Sequence, residues 1–526
     1  MLAVGTSACR VGEDDVHRWE STEHGPDKLV AVVKAPKYDN GLRVEATLSL
    51  IRMKPRGGRQ VGVARLVEAL AEITPEQRNP ILANLVPAII TELKKPAPAA
   101  QAGQPAPPDP SFAFKDAAYA ILTYDKPVLL TDDGLKGQLK QALIEWALAD
   151  FERRLENRTQ TSGMEQLLRY LGPDSVVGLP KLMTRDSRNL DKMAGLVADI
   201  GDDKTKEAAS AALVEVAKYD ISDEWVKVKT PQLEAANKAS AITTTADGFK
   251  AQLSSYQDEE LLRALGSLKR VGGRPAVDFC LDLASDTKAP ANRRIAALAA
   301  LELRLDSKNE SDVKRIFDIA MSDAPPEVLD VAFVRIGEMP RKDVVGKLYD
   351  AFKTDKWKVR RLAAKIVLRM SEVKDMDEFM SKLPEKDAKG FAMGEAITYG
   401  ASFADLKGGD VQAEVKKFLV DTTAPAARTT AVSYYLVNGK PGDIELLKPY
   451  ENDKSPVPVC ETDDECKWAC YVPKDPAKPD DKELKPVKTF GDYIQMCVEP
   501  SIIDRAEQAK KAAAATPPKG TEGEKK

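Results

Sequence analysis

The chain has 526 residues, of which 43% are hydrophobic, 30% charged and only 6% aromatic, and its net charge is −4. An apolar content made mostly of Ala, Leu, Val and Ile favours helices over β-sandwiches, and the near balance of charge excludes the broad basic footprint of a nucleic-acid binder. No apolar run approaches the ~18 residues of a membrane span, and two histidines in the whole chain leave little for histidine catalysis or a histidine-rich metal site.

The first segment, 1–18, opens Met-Leu-Ala-Val-Gly-Thr-Ser-Ala-Cys. Small residues before a cysteine resemble the tail of a bacterial lipoprotein signal. That resemblance implies a lipid on Cys9, which would become the mature N-terminus, and hence a periplasmic or outer-membrane-attached protein. The segment lacks a basic start and a 7–15-residue apolar core, and Thr6 stands where Leu is usual, so the expectation is of a truncated signal. An ordinary terminus is the alternative. On a helix, His17, Glu20 and His24 would share one face and could be drawn as a metal site. Nothing nearby orients the imidazoles, and the segment reads instead as a solvated first helix. Arg52 to Arg59 (Arg-Met-Lys-Pro-Arg-Gly-Gly-Arg) could grip an anion, and is read as a soluble turn between helices.

Over 19–93 and 112–455 one pattern recurs: an apolar helix, a polar turn carrying Asp or Pro, then an Ala-rich second helix. The clearest copy is Val344 to Met370. Val345, Leu348, Tyr349 and Phe352 form one face of its first helix, and Thr354-Asp355-Lys356 is its turn. Val359, Leu362, Ala363, Ile366, Val367 and Met370 follow at helical spacing. Arg294, Val328, Arg360 and Arg428 hold matching positions, 34, 32 and 68 residues apart, with a weaker unit from Met376 to Tyr399 in the wide interval. Length alone suggests three or four domains at ~150 residues each. A two-helix period in the 30s predicts instead an α-solenoid, in which neighbouring hairpins shield each other's apolar faces.

Lys356-Trp357-Lys358-Val359-Arg360-Arg361-Leu362-Ala363-Ala364 resembles the turn and second-helix start of the HEAT-repeat family. The resemblance implies an all-α solenoid of HEAT-like hairpins and a habit of binding partners, and it implies no reaction. It assigns the ordering of adjacent repeats to Asp355 and Arg360, and by weaker matches to Asp39 with Arg43 and Asp421 with Arg428. It further implies that second helices line the concave side. There Arg361, Lys365 and Arg369 recur every fourth residue, a stripe that an acidic partner surface would meet. A solvated face that keeps the protein soluble is the competing reading.

Three stretches interrupt the repeats. A Pro/Ala-rich loop at 94–111 holds six prolines between Pro96 and Pro110, and each removes a backbone donor and fixes φ. Tyr219 to Gly248 is irregular, with a helical middle at Gln232 to Ala241. The tail, 505–526, has too little apolar surface to offset ordering and is expected to be disordered. Before it, 456–504 is a loop-rich segment holding Cys460, Cys466, Cys470 and Cys497. Its text resembles short disulfide-bonded modules of secreted proteins. Two disulfides, structural zinc or four free thiols are the readings; the five-residue gap after Cys460 and the neighbouring Asp463, Asp464 and Glu465 oppose zinc. Disulfides would require an oxidising compartment. Cys280 lies on an apolar helix face and is expected to be an inert core residue.

Val271-Gly272-Gly273-Arg274-Pro275 lacks the end and spacing of a phosphate-binding loop and is read as a turn. Gly-x-Ser-x-Gly, His-Glu-x-x-His and dinucleotide glycine patterns are missing. The sequence therefore predicts a non-catalytic scaffold at the bacterial envelope, with no cofactor, no metal and no nucleic acid. Another protein is its partner, and the membrane is met only through Cys9. The alternatives are a cytoplasmic adaptor, or a HEAT-like enzyme of the cofactor-lyase or base-modifying type.

Overall fold

A computed structural model describes residues 11–54, 61–98, 109–156, 162–187, 189–384, 393–458, 470–475, 477 and 483–515. Among these, helix dominates, and the sheet is a two-stranded antiparallel ribbon, Tyr471–Pro473 against Leu484–Pro486. The chain divides into two compact units, Met1–Pro275 and Ala276–Lys526. The division falls inside the stretch 112–455 that reads in sequence as one run of repeats.

In each unit successive hairpins pack on their neighbours, the stacking of a HEAT-like solenoid. In the first unit Gly25–Lys34 packs on Val61–Glu72 and that helix on Ser111–Thr123, while Asn40–Arg52 packs on Pro75–Leu93 and that helix on Asp133–Glu156. In the second unit the second helices form a ladder: Ala291–Ala300, Pro326–Ile336, Trp357–Arg369, Met393–Ser402 and Pro425–Asn438, each against the next. Local chemistry starts these helices. Asp39 accepts from the Leu42 N–H at 2.9 Å and Asn309 from Ser311 and Asp312, and prolines open the helices at Pro75, Pro326 and Pro425, where the missing donor costs nothing. In the clearest copy Val344, Leu348, Tyr349 and Phe352 are buried, so Val344 rather than Val345 completes that face.

Two expectations about irregular chain are corrected. Tyr219 to Gly248 is mostly helical: Ser222 caps a helix over Asp223–Ala239 by accepting from the Trp225 N–H at 3.2 Å. The break shrinks to a turn at 240–245, with Ala241 at φ +52°. The tail begins as helix, Glu499–Ala515. Arg505 holds it down by donating to the carbonyls of Leu436, Tyr435 and Gly439 at the end of Pro425–Asn438, satisfying acceptors that a helix end leaves unpaired. The rest of the tail and most of the Pro96 to Pro110 loop lie outside the described residues.

Three of the second-helix arginines share one job. Arg43, Arg294 and Arg428 are buried, and their Nε groups donate to Val33 O, Ala284 O and Leu419 O at 2.8–2.9 Å. Val33 and Ala284 lie in the last turn of the first helix of the same hairpin, and Leu419 ends the 3-10 turn that continues Val411–Lys416, where a cation also meets the negative end of the helix dipole. Arg360 departs from this. It sends one N–H to Thr354 O at 3.0 Å, and its Nε and Nη2 to Glu395 Oε1 at 3.1 and 2.6 Å. Glu395 occupies the ladder position of the weak unit, where Ala291–Ala300, Trp357–Arg369 and Pro425–Asn438 carry arginine and Pro326–Ile336 carries Val328 and Leu329. The assignment of Asp355 as the partner of Arg360 is thereby corrected: Asp355 is exposed and makes no hydrogen bond among the described residues. Asp421 is likewise exposed, and Arg428 pairs with Asp453 instead.

Candidate functional site

The second-helix ladder exposes one well-formed groove, about 710 Å³, across Pro326–Ile336, Trp357–Arg369 and Met393–Ser402. A chain of rings ends at it. Tyr349, Phe352, Phe379 and Tyr399 stand edge to face in sequence, with ring centroids 5.6–5.9 Å apart, and Tyr399 reaches the groove lining. The Tyr399 hydroxyl donates to Glu395 Oε2 at 3.2 Å. Burial, reinforced by the Glu395 charge, holds its ionisation far above the ordinary range. This wall is therefore a neutral, fixed surface.

The stripe read from sequence divides here. Arg361 is in the groove, half-buried, with its guanidinium 5.2 Å from the Trp357 ring centroid and Nη2 donating to Thr398 Oγ1 at 2.9 Å. Lys365 is also in the groove, exposed, with Nζ 3.9 Å from Asp330 Oδ1. Arg369, one turn further along, is exposed and does not line it. Sequence reading missed Trp357, Glu327 and Asp330. Trp357 falls four residues before Arg361, the spacing at which helical side chains meet. The two carboxylates sit on the preceding second helix, and no signal on Trp357–Arg369 points to them.

The other predicted sites fall as follows. Cys470 and Cys497 form a disulfide, with Cα atoms 6.2 Å apart. Cys460, Cys466 and Cys9 lie outside the described residues, as does most of the Arg52 to Arg59 run. Cys280 is a buried free thiol, pushed up to about 12 by burial. His17 bonds Glu45 at 2.8 Å, Glu20 accepts from Ser49, and His24 precedes the helix Gly25–Lys34 without a side-chain cap bond, so the three do not converge on one site. Among the described residues no group of three or more His, Cys, Asp or Glu is placed to hold a metal ion. The Val271 to Pro275 segment is a turn in which Gly272 and Gly273 take φ +74° and +91°, conformations that glycine adopts without strain.

No protein-family model matches the chain, and no curated protein matches it. Crystal structures of Kap121p and of a mutant of it are similar in structure, each at 12% sequence identity, with TM-scores of 0.29 and 0.26. Each match covers 83% of this chain and 43% of the Kap121p chain, so the chain spans less than half the length of those structures.

Proposed function

We propose that the protein is a non-catalytic scaffold of HEAT-like hairpins that binds another protein through the groove around Trp357 and Arg361. The observation that carries this is the groove itself. Three successive second helices contribute to one open cleft with a half-exposed tryptophan and exposed charged groups. Aromatic and arginine side chains set in a partly desolvated cleft are the usual anchors of protein interfaces. A partner with an acidic surface would meet Arg361 and Lys365. The envelope, with a lipid on Cys9, is the location in this reading, supported by the Cys470–Cys497 disulfide, which persists in oxidising compartments, and by the lipoprotein-like run that ends at Cys9.

A photo-crosslinking residue in place of Trp357, in the producing cells, should give one discrete adduct. Charge reversal at Arg361 and Lys365 together should remove it, while Arg369→Glu should not. An adduct unaltered by the double reversal would overturn the groove reading. For the location, cells fed an alkyne fatty acid should yield labelled protein that Cys9→Ser abolishes; unlabelled protein free in the cytoplasm would overturn it.

A further inference from the structure

The groove carries two opposed rows of charge. Glu327 and Asp330, both exposed, stand on Pro326–Ile336, and Lys358, Arg361 and Lys365 stand on Trp357–Arg369. The rows barely neutralise each other. The one ion pair described between them is Lys365 with Asp330, at 3.9 Å and with both side chains more than half exposed, a geometry worth little in water. Glu327 has no partner among the described residues. Lys358 lies over the Trp357 ring at 5.6 Å, and Arg361 bonds the neutral hydroxyl of Thr398. Trp357 and Leu362 supply apolar surface beside the charges.

Resting on the reading of this groove as a docking site, we infer that its occupant is a peptide segment of a partner protein with segregated charge: a carboxylate for the Lys358–Arg361–Lys365 row, a cation for Glu327 and Asp330, and an apolar side chain between them for Trp357 and Leu362. A uniformly acidic segment would set its carboxylates against Glu327 and Asp330. A uniformly basic one would set its cations against Lys358 and Arg361. Like charges brought together in an interface reject the wrong partner more than opposite charges strengthen the right one. The two rows therefore act as a filter for charge order, and the acidic-partner reading is narrowed to a segment acidic at one end only.

The test uses the full-length protein and three fluorescent octapeptides with the same central Ala-Leu-Phe-Ala, flanked by Glu-Glu and Lys-Lys, by Glu-Glu on both sides, or by Lys-Lys on both sides. The mixed peptide should bind at least about tenfold more tightly than either uniform one at low salt. Glu327→Lys with Asp330→Lys should move the preference to the acidic peptide. Lys358→Glu with Lys365→Glu, both at exposed positions that leave the packing alone, should move it to the basic peptide. A preference that neither pair moves, or an acidic peptide that binds the unaltered protein best, would overturn the inference. If none of the three binds while the Trp357 adduct persists, the charge filter fails and the docking site stands. If the adduct is lost as well, both fail.

Discussion

Arg360 and Glu395, 35 residues apart in sequence, form a buried ion pair that joins two consecutive second helices, with Nε and Nη2 both on Oε1. Both side chains are almost fully enclosed, at 4% and 1% exposure. Removing one member of such a pair leaves an uncompensated charge in the core. Arg360→Ala should therefore destabilise the second unit by about 3–5 kcal/mol in urea unfolding, and Glu395→Leu in that background should recover part of the loss. Asp355→Ala should change stability by less than about 0.5 kcal/mol.

Asp220 ends the helix Asp203–Asp220, buried at 2% exposure. Burial raises its carboxyl to about 7, helped by Glu260 and opposed by Lys229 and Arg263. The folded state thus holds this proton more tightly than the unfolded chain. The associated stability is complete below about pH 4 and is lost as pH rises towards 7. Asp220→Asn should abolish that loss, leaving the variant more stable than the parent at pH 8 by on the order of 2–4 kcal/mol and little different at pH 4. Trp225, whose ring N–H donates to Glu260 at 2.7 Å, gives a fluorescence readout beside thermal melting.

Cys280 should be almost inert while the protein is folded. With its thiol near 12 and the thiolate the reactive form, alkylation at pH 8 should run about 10³-fold slower than for a free cysteine. Unfolding in denaturant should restore the ordinary rate, followed by mass spectrometry of the Cys280 peptide.

The Cys470–Cys497 bridge closes a loop of sequence separation 27 in a region with little core of its own. Restricting an unfolded loop of that size should contribute about 2–4 kcal/mol. Cys497→Ala should lower the unfolding midpoint of the second unit by that amount, with the first unit unmoved, read by hydrogen exchange of each unit.

The fold was legible wherever apolar spacing and turn residues agreed, as at Val344 to Met370, because burying one face of each helix is what that spacing encodes. The arginine positions were legible too, but not their partners. A buried guanidinium can satisfy itself at a backbone carbonyl, as Arg294 does at Ala284, or at a carboxylate a whole repeat away, as Arg360 does at Glu395, and one sequence does not distinguish these. Of the helix Asp223–Ala239 only the half from Gln232 was legible; Pro231 and a polar surface hid the periodicity of the first half, although Ser222-Asp223-Glu224 carried the start signal. Half of the groove was legible, since a stripe on one helix is visible in sequence. The opposing carboxylates were not, because they enter from a different hairpin.

The arginine-to-carbonyl bond of the Arg43, Arg294 and Arg428 hairpins also sets what kinds of sequence drift they tolerate. A side chain of fixed reach spans from the second helix back to the last turn of the first, 10 residues earlier for Arg43 and Arg294 and nine for Arg428. The connecting turns can therefore change identity freely, while among these three hairpins their length differs by only one residue. Copying an entire hairpin lengthens the array with every latch intact, whereas several residues inserted at such a corner would carry the guanidinium out of reach of its catch.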